Sequence, residues 1–310
     1  MKIVFFGSDD FAACHLEALL SAKEGIICCV CPVDKAVGRG MRKASSPVKE
    51  IAVKNGIDVL QPLDLMDRGF LEKLEAFEAD LFIVIAYGKI LPKEVLTIPR
   101  IFSINVHASL LPKYRGAAPI NWAVINGEES TGITIIKINE KMDAGEIVSS
   151  CIVPISRGDT SYQLREKMKS IGPQLLKGTV QAILAGKYKL TSQDESKVSF
   201  APKLTKENGK IDWNNQAEAI CNKVRGLLPW PSAYTFYRGK MLKILRADVS
   251  AFMAQGHKPG EVVSTDKKGV NIAAKGSVVL IKEVHLQDGK QISAFDFTLG
   301  HELNPGERLE

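Results

Sequence analysis

Apolar residues follow two rhythms over the first 185 positions. Continuous runs without polar alternation, KIVFF at 2–6, IICCVC at 26–31 and DLFIVIAY at 80–87, suit parallel strands buried on both faces. A shorter strand is expected at 58–61. Between these runs the apolar positions recur at helical spacing. Phe11, Cys14, Ala18 and Leu19 predict a helix that Asp9 or Asp10 can cap. Ser46 followed by Pro47 is a helix start, and helices are expected at 70–77, 92–96 and 118–126. A strand at 131–139 and another at 147–155 read as an antiparallel hairpin. A long amphipathic helix carries Leu164, Met168, Ile171, Leu175, Val180, Ile183 and Leu184 over 161–185. Alternating strands and helices of this kind predict an α/β domain with an open, mostly parallel sheet.

The rhythm stops at 187–210, a charged stretch containing Pro202, which reads as a linker. A helix follows at 216–227, then a proline-flanked turn around Trp230. From 233 onward the runs YTFY, MLKILRA, EVVS, GVNIAA and VVLIKEVHL, separated by Gly, Asp and Lys, have the pattern of a small all-β barrel. The expected division is therefore 1–187, a linker at 188–210, and 211–310.

A length of 310 residues fits two domains, and composition is ordinary for a globular chain. Cys28, Cys29 and Cys31 share one apolar run and the other three cysteines are scattered. Packed, reduced thiols are expected rather than disulfides, and no paired CxxC motifs point to zinc or another metal. No run resembles a targeting or membrane segment, so a cytoplasmic protein is expected, with no membrane partner. GSDDF after the first strand lacks the glycines of a dinucleotide fingerprint, which argues against NAD. The formal net charge is +6, and residues 197–290 hold sixteen Lys and Arg against eight Asp and Glu. That distribution hints at a polyanionic partner. The stretch 32–47, PVDKAVGRGMRKASSP, reads as a long loop. Its Lys35, Arg39, Arg42 and Lys43 are either phosphate contacts or ordinary solvated charge.

The richest stretch is 101–119, IFSINVHASLLPKYRGAAP. It begins as a buried strand and ends as a loop. Asn105 and His107, two residues apart, leave the strand end on one face. Asp143, in a tight loop after a later strand, is the nearest candidate carboxylate. An amide donor, an imidazole and a carboxylate suit acyl transfer to an external amine. No Ser or Cys sits in a nucleophile elbow. The same residues also fit a plain strand end, a hydrogen-bonded core histidine and a turn aspartate, and spacing leaves both readings open. His15, His257, His285 and His301 are expected in packing or surface roles.

NVHASLLPKYRGAAPI resembles the signature of folate-linked formyltransferases. With FFGSDDFA, the GRG loop, VIAYGKILP, TGITIIKINEKMDAGEI, FAPKLTKENGKIDW and LPWPSA, nearly the whole chain is similar to the methionyl-tRNA formyltransferase family. The resemblance implies a Rossmann-like formyltransferase fold followed by an OB-like barrel. It also implies transfer of formyl from 10-formyltetrahydrofolate to the methionine amine of initiator methionyl-tRNA. Carried over by position, Asn105, His107 and Asp143 match the catalytic set. Ser109, Leu110, Leu111 and Pro112 match the folate-binding loop, and Arg39, among Lys35, Arg42 and Lys43, matches the tRNA-contacting loop. On this reading Asn105 and His107 bond the developing oxyanion, and His107 with Asp143 moves the proton. The partners implied are the tRNA and a small-molecule folate, with the protein a monomer. Gly-Ser-Asp-Asp stands where the family more often has Gly-Thr-Pro-Asp or Gly-Thr-Pro-Glu, and Ala108 stands where Gly is also common. Formyl transfer to a sugar-nucleotide amine, or RNA binding without catalysis, remain the alternatives.

Overall fold

A computed structural model describes residues 1–37 and 42–310. Its strands are β1 (Ile3–Gly7), β2 (Ile26–Val30), β3 (Lys35–Val37), β4 (Arg42–Ala44), β5 (Asp58–Leu60), β6 (Leu81–Ile85), β7 (Phe102–His107), β8 (Ser130–Lys137), β9 (Ile147–Pro154), β10 (Ala233–Tyr237), β11 (Lys240–Val249), β12 (Val262–Asp266), β13 (Gly269–Ala274), β14 (Ser277–Leu286) and β15 (Gln291–Ser293). Its helices are α1 (Asp10–Ser21), α2 (Pro47–Lys54), α3 (Arg68–Ala76), α4 (Lys93–Leu96), α5 (Pro119–Ile125), α6 (Ser161–Leu184), α7 (Ala217–Gly226) and α8 (Ala294–His301). The chain packs as two units. One comprises Met1–Gly116, Thr131–Val153 and Arg165–Phe200; the other comprises Ala117–Ser130, Pro154–Leu164 and Ala201–Glu310.

In the first unit the described strands form a sheet in the order β5-β2-β1-β6-β7-β8-β9. Pairing is parallel from β5 through β7 and turns antiparallel between β7 and β8. β1 and β6 are buried at every position, as their unbroken apolar runs require. Phe6, Phe82, Val30, Phe70 and Leu74 fill the space on one side of the sheet. Local chemistry starts the helices as the sequence suggests. Asp9 accepts from the Ala12 N–H at 3.0 Å to cap α1, and Ser46 caps α2 ahead of Pro47. The stretch 32–47 departs from the expected plain loop, because β3 and β4 pair as a two-stranded ribbon, Lys35 with Ala44 and Val37 with Arg42. Its base is tied down by Lys49, whose Nζ reaches Asp34 Oδ2 at 2.6 Å and Gln61 Oε1 at 2.8 Å.

In the second unit the antiparallel sheet runs β10-β11-β14-β13-β12, with β15 on β14. These ladders leave β10 and β12 at the two edges. Residues 307–310 bond to both: the Phe236 N–H donates to the Glu310 carbonyl and the Glu310 N–H to that of Phe236, while Leu309 N–H donates to Gly260 and Val262 N–H to Glu307. Leu309 is buried with Trp213, Ile220, Val224, Leu242, Ile281 and Phe297 in one core. α5 packs beside α7 in this unit. Gly226 permits the approach, since a Cβ there would lie 2.5 Å from Ile125 Cγ1. Asn121 donates to the Gly226 carbonyl at 2.8 Å. An all-β reading beyond 233 missed α8, whose Ser293 cap accepts from the Asp296 N–H at 3.0 Å.

Among the described residues no helix is long and apolar enough to cross a membrane. All six cysteines are unpaired. Burial pushes Cys28 and Cys221 up to about 12, so both thiols stay protonated and inert.

Candidate active site

β7 is where the sheet changes direction, and the carboxyl end of such a strand is a usual ligand position in open α/β sheets. Phe102, Ile104 and Val106 alternate with Ser103, Asn105 and His107, so the polar set shares one face. His107 is buried and sits opposite Thr134 of β8. After it the chain turns sharply and then returns past the ring. Thr134 Oγ1 fixes this turn by donating to the Ser109 carbonyl at 2.7 Å and accepting from the Leu111 N–H at 3.1 Å. Ser109 Oγ donates to the Lys113 carbonyl at 2.6 Å. Ser109, Leu110, Leu111 and Pro112 are therefore held in one conformation. Leu110 packs over Gly132, where a Cβ would come within 2.4 Å of it.

The turn brings the Tyr114 carbonyl to 2.9 Å from His107 Nε2. A carbonyl only accepts, so Nε2 carries a proton. The other ring nitrogen, Nδ1, faces Asp143 Oδ2 at 3.6 Å. Asn105 Nδ2 donates to Asp143 Oδ1 over 3.4 Å, and the Gly116 N–H donates to Oδ2 at 2.9 Å. The three residues singled out from sequence are thus brought together around one carboxylate. The second amide hydrogen of Asn105 is not used in that bond.

Asp143 lies in the loop between β8 and β9 with φ of +51°, left-handed backbone that Asp tolerates better than most residues. Two constraints hold the loop. Gly145 passes so close to β8 that a Cβ would lie 1.6 Å from the Lys137 carbonyl oxygen. From the other side, Gln193 Nε2 donates to both the Asp143 and the Gly145 carbonyls, each at 2.8 Å. Gln193 Oε1 accepts from Arg115 Nε at 3.1 Å and Nη2 at 2.8 Å. Arg115, buried despite its charge, also grips Glu195 through both carboxylate oxygens, and that guanidinium holds Glu195 below the usual carboxylate range. Ser199 accepts from the Tyr114 N–H through Oγ and from the Arg115 N–H through its carbonyl. Sequence reasoning missed Thr134, Gln193, Glu195 and Ser199. The stretch 187–210, read as a linker, therefore runs over 191–199 along the back of the loops that hold the candidate residues.

The basic residues lie elsewhere in the first unit. Lys35 is on β3, and Arg42 and Lys43 are on β4. Arg39 lies outside the described residues. Among the described residues no group of His, Cys, Asp or Glu is arranged to hold a metal ion.

Residues 1–180 match the Formyl transferase family, and residues 203–302 match the Formyl transferase, C-terminal domain. A protein of Geotalea uraniireducens named methionyl-tRNA formyltransferase is 38% identical over 309 residues, spanning 100% of this chain and 98% of its own. One of the same name from Citrifermentans bemidjiense is 39% identical over 309 residues, covering 100% and 96%. The chain belongs to the methionyl-tRNA formyltransferase family. Solved structures share the fold. WlaRD, a sugar 3N-formyl transferase crystallised in the presence of dTDP and 5-N-formyl-THF, superposes with a TM-score of 0.68 at 18% identity, over 94% of this chain and 99% of that one. HypX from Aquifex aeolicus, in complex with tetrahydrofolic acid, gives a TM-score of 0.63 at 19% identity, over 96% of this chain and 47% of its own. A parallel-rich N-terminal sheet followed by an antiparallel C-terminal one is thus the formyltransferase arrangement in this chain too.

Proposed function

We propose that this protein transfers the formyl group of 10-formyltetrahydrofolate to the free amino group of methionine on initiator methionyl-tRNA. The observation that carries the reading is the convergence of Asn105 and His107 on the Asp143 carboxylate, in a chain that aligns end to end with relatives named for this reaction. The amine attacks the formyl carbon, the new C–N bond forms, and the bond from that carbon to the folate nitrogen breaks. The spare amide hydrogen of Asn105 donates to the oxygen as it becomes anionic. The proton lost by the amine passes through the His107–Asp143 pair to the departing folate nitrogen. The bond from His107 Nε2 to Tyr114 favours giving the oxyanion to Asn105 and the proton to the pair, rather than sharing the oxyanion between Asn105 and His107.

The fixed turn of Ser109, Leu110, Leu111 and Pro112 is the surface for the folate. Lys35, Arg39, Arg42 and Lys43 contact the tRNA, and the basic C-terminal segment adds sequence-independent attraction to its phosphates. On this reading 1–187 is the catalytic domain, 188–210 the connection and 211–310 the tRNA-binding domain. The bonds that 307–310 make to Phe236, Gly260 and Val262 support reading the second sheet as an OB-like barrel. The protein works in the cytoplasm as a monomer.

The test is formyl transfer from 10-formyltetrahydrofolate to charged initiator methionyl-tRNA, with a sugar-nucleotide amine assayed in parallel. Product on the tRNA alone is expected. Product on the sugar alone would overturn the acceptor, and tRNA binding without product would overturn catalysis.

A further inference from the structure

The polar segment 191–199 carries no apolar period, yet its bonds converge on one place. Thr191 and Ile147 exchange both backbone hydrogen bonds, at 2.8 and 2.9 Å. Ser199 is bonded to Tyr114 and Arg115. Between them, Gln193 spends both hydrogens of one amide on the carbonyls of Asp143 and Gly145. The amide orientation follows from its neighbours, because Arg115 offers only donors to Oε1 and the two carbonyls offer only acceptors to Nε2. Arg115 is in turn locked by Glu195. Left-handed backbone is strained for a residue with a Cβ, so the Asp143 turn needs bonds of this kind to stay in place.

We infer that Gln193 is a positioning residue for catalysis, holding the Asp143 carboxylate in register with His107 and Asn105 through the Asp143 and Gly145 carbonyls, with Arg115 and Glu195 fixing its amide. The inference rests on the reading of Asp143 as the catalytic carboxylate. The Gln193 amide bonds to the main-chain carbonyls of Asp143 and Gly145 rather than to the carboxylate itself. Its effect is on where the carboxylate stands, and a displacement of about 1 Å in a site of this kind can lower turnover on the order of 100-fold.

Gln193→Glu keeps the shape and the partnership with Arg115 but turns both donors into acceptors facing carbonyls. Gln193→Met keeps the length and removes every bond. Each is assayed against wild type, Asp143→Asn and the Gln193→Glu/Asp143→Asn double variant for kcat, for KM of methionyl-tRNA and of 10-formyltetrahydrofolate, and for thermal midpoint. The expected result is a kcat about 10- to 100-fold lower in both Gln193 variants, with either KM within about threefold. Folding stays intact in at least the Gln193→Met protein, and the double variant is no slower than Asp143→Asn by more than about twofold. Gln193 variants with normal kcat beside an impaired Asp143→Asn would overturn the positioning role alone. So would losses that multiply in the double variant, or a loss confined to thermal midpoint. Normal turnover in Asp143→Asn would remove the reading of Asp143 and the inference with it.

Discussion

Asp143 Oδ2 stands 3.6 Å from His107 Nδ1, although the two residues are 36 positions apart, His107 at the end of β7 and Asp143 in the loop between β8 and β9. Nε2 is already engaged with Tyr114, so a proton on Nδ1 makes the ring a cation facing an anion. Asp143→Asn keeps the shape and removes the charge. Turnover should fall about 100-fold or more, with either KM changed by less than about threefold. Steady-state kinetics on methionyl-tRNA checks this, and a loss seen only in KM would reassign Asp143 to binding.

Gly145 has no room for a side chain against the Lys137 carbonyl. Gly145→Ala must move the turn that carries Asp143, and kcat should drop on the order of 100-fold. A variant with wild-type kcat would mean that this turn need not be held where it is.

Thr134, itself fully buried, serves two backbone groups of the 109–112 turn. Thr134→Val leaves a donor and an acceptor unpaired, at about 1–3 kcal/mol each. Urea unfolding should show the destabilisation, and KM for 10-formyltetrahydrofolate should rise more than KM for the tRNA. Equal rises in the two would detach this turn from the folate.

His15 makes its own pH dependence. Burial pushes its pKa down to about 4, against the opposing pull of the Phe11 carbonyl and Asp9. Its Nε2 has no partner and faces Gly172. Because the folded value is depressed, the unfolded chain takes up the proton first as pH falls below 6.5. The stability is therefore complete above pH 6.5, is lost as pH falls towards 4, and amounts to about 3 kcal/mol at most. Asp10 acts in a lower window. Burial alone would raise its pKa, but hydrogen bonds from Lys169 and Arg165 outweigh that and hold it at about 2, so its contribution is lost as pH falls from 3.8 through 2. Urea midpoints at pH 7.5, 6 and 5 should fall with pH in the wild type and fall less in His15→Leu. Parallel curves would place the acid sensitivity elsewhere.

The parts of this protein that were legible in its sequence are those where one physical requirement repeats along the chain. β1, β2 and β6 are buried on both faces, and their runs show it. Asp9, Ser46 and Pro47 mark helix starts because capping is local. β3 and β4 are three residues each, too short for any period to register. α8 was hidden because Phe295 and Phe297 alternate as strand residues do, while its cap at Ser293 and Asp296 went unread. That Asn105 and His107 share one face could be read from strand spacing. The link from Arg115 to Gln193 joins residues 78 apart through side-chain bonds in a polar stretch, and nothing periodic announces it.

The two-sided pairing of 307–310 has a consequence for the protein in solution. Without those residues the backbone groups of Phe236, Gly260 and Val262 that now bond to them would lie unpaired along two strand edges, a template on which another copy can add a strand. Clipping the chain after Gly306 should therefore turn a self-contained sheet into a sticky one, seen as concentration-dependent aggregation before any loss of secondary structure.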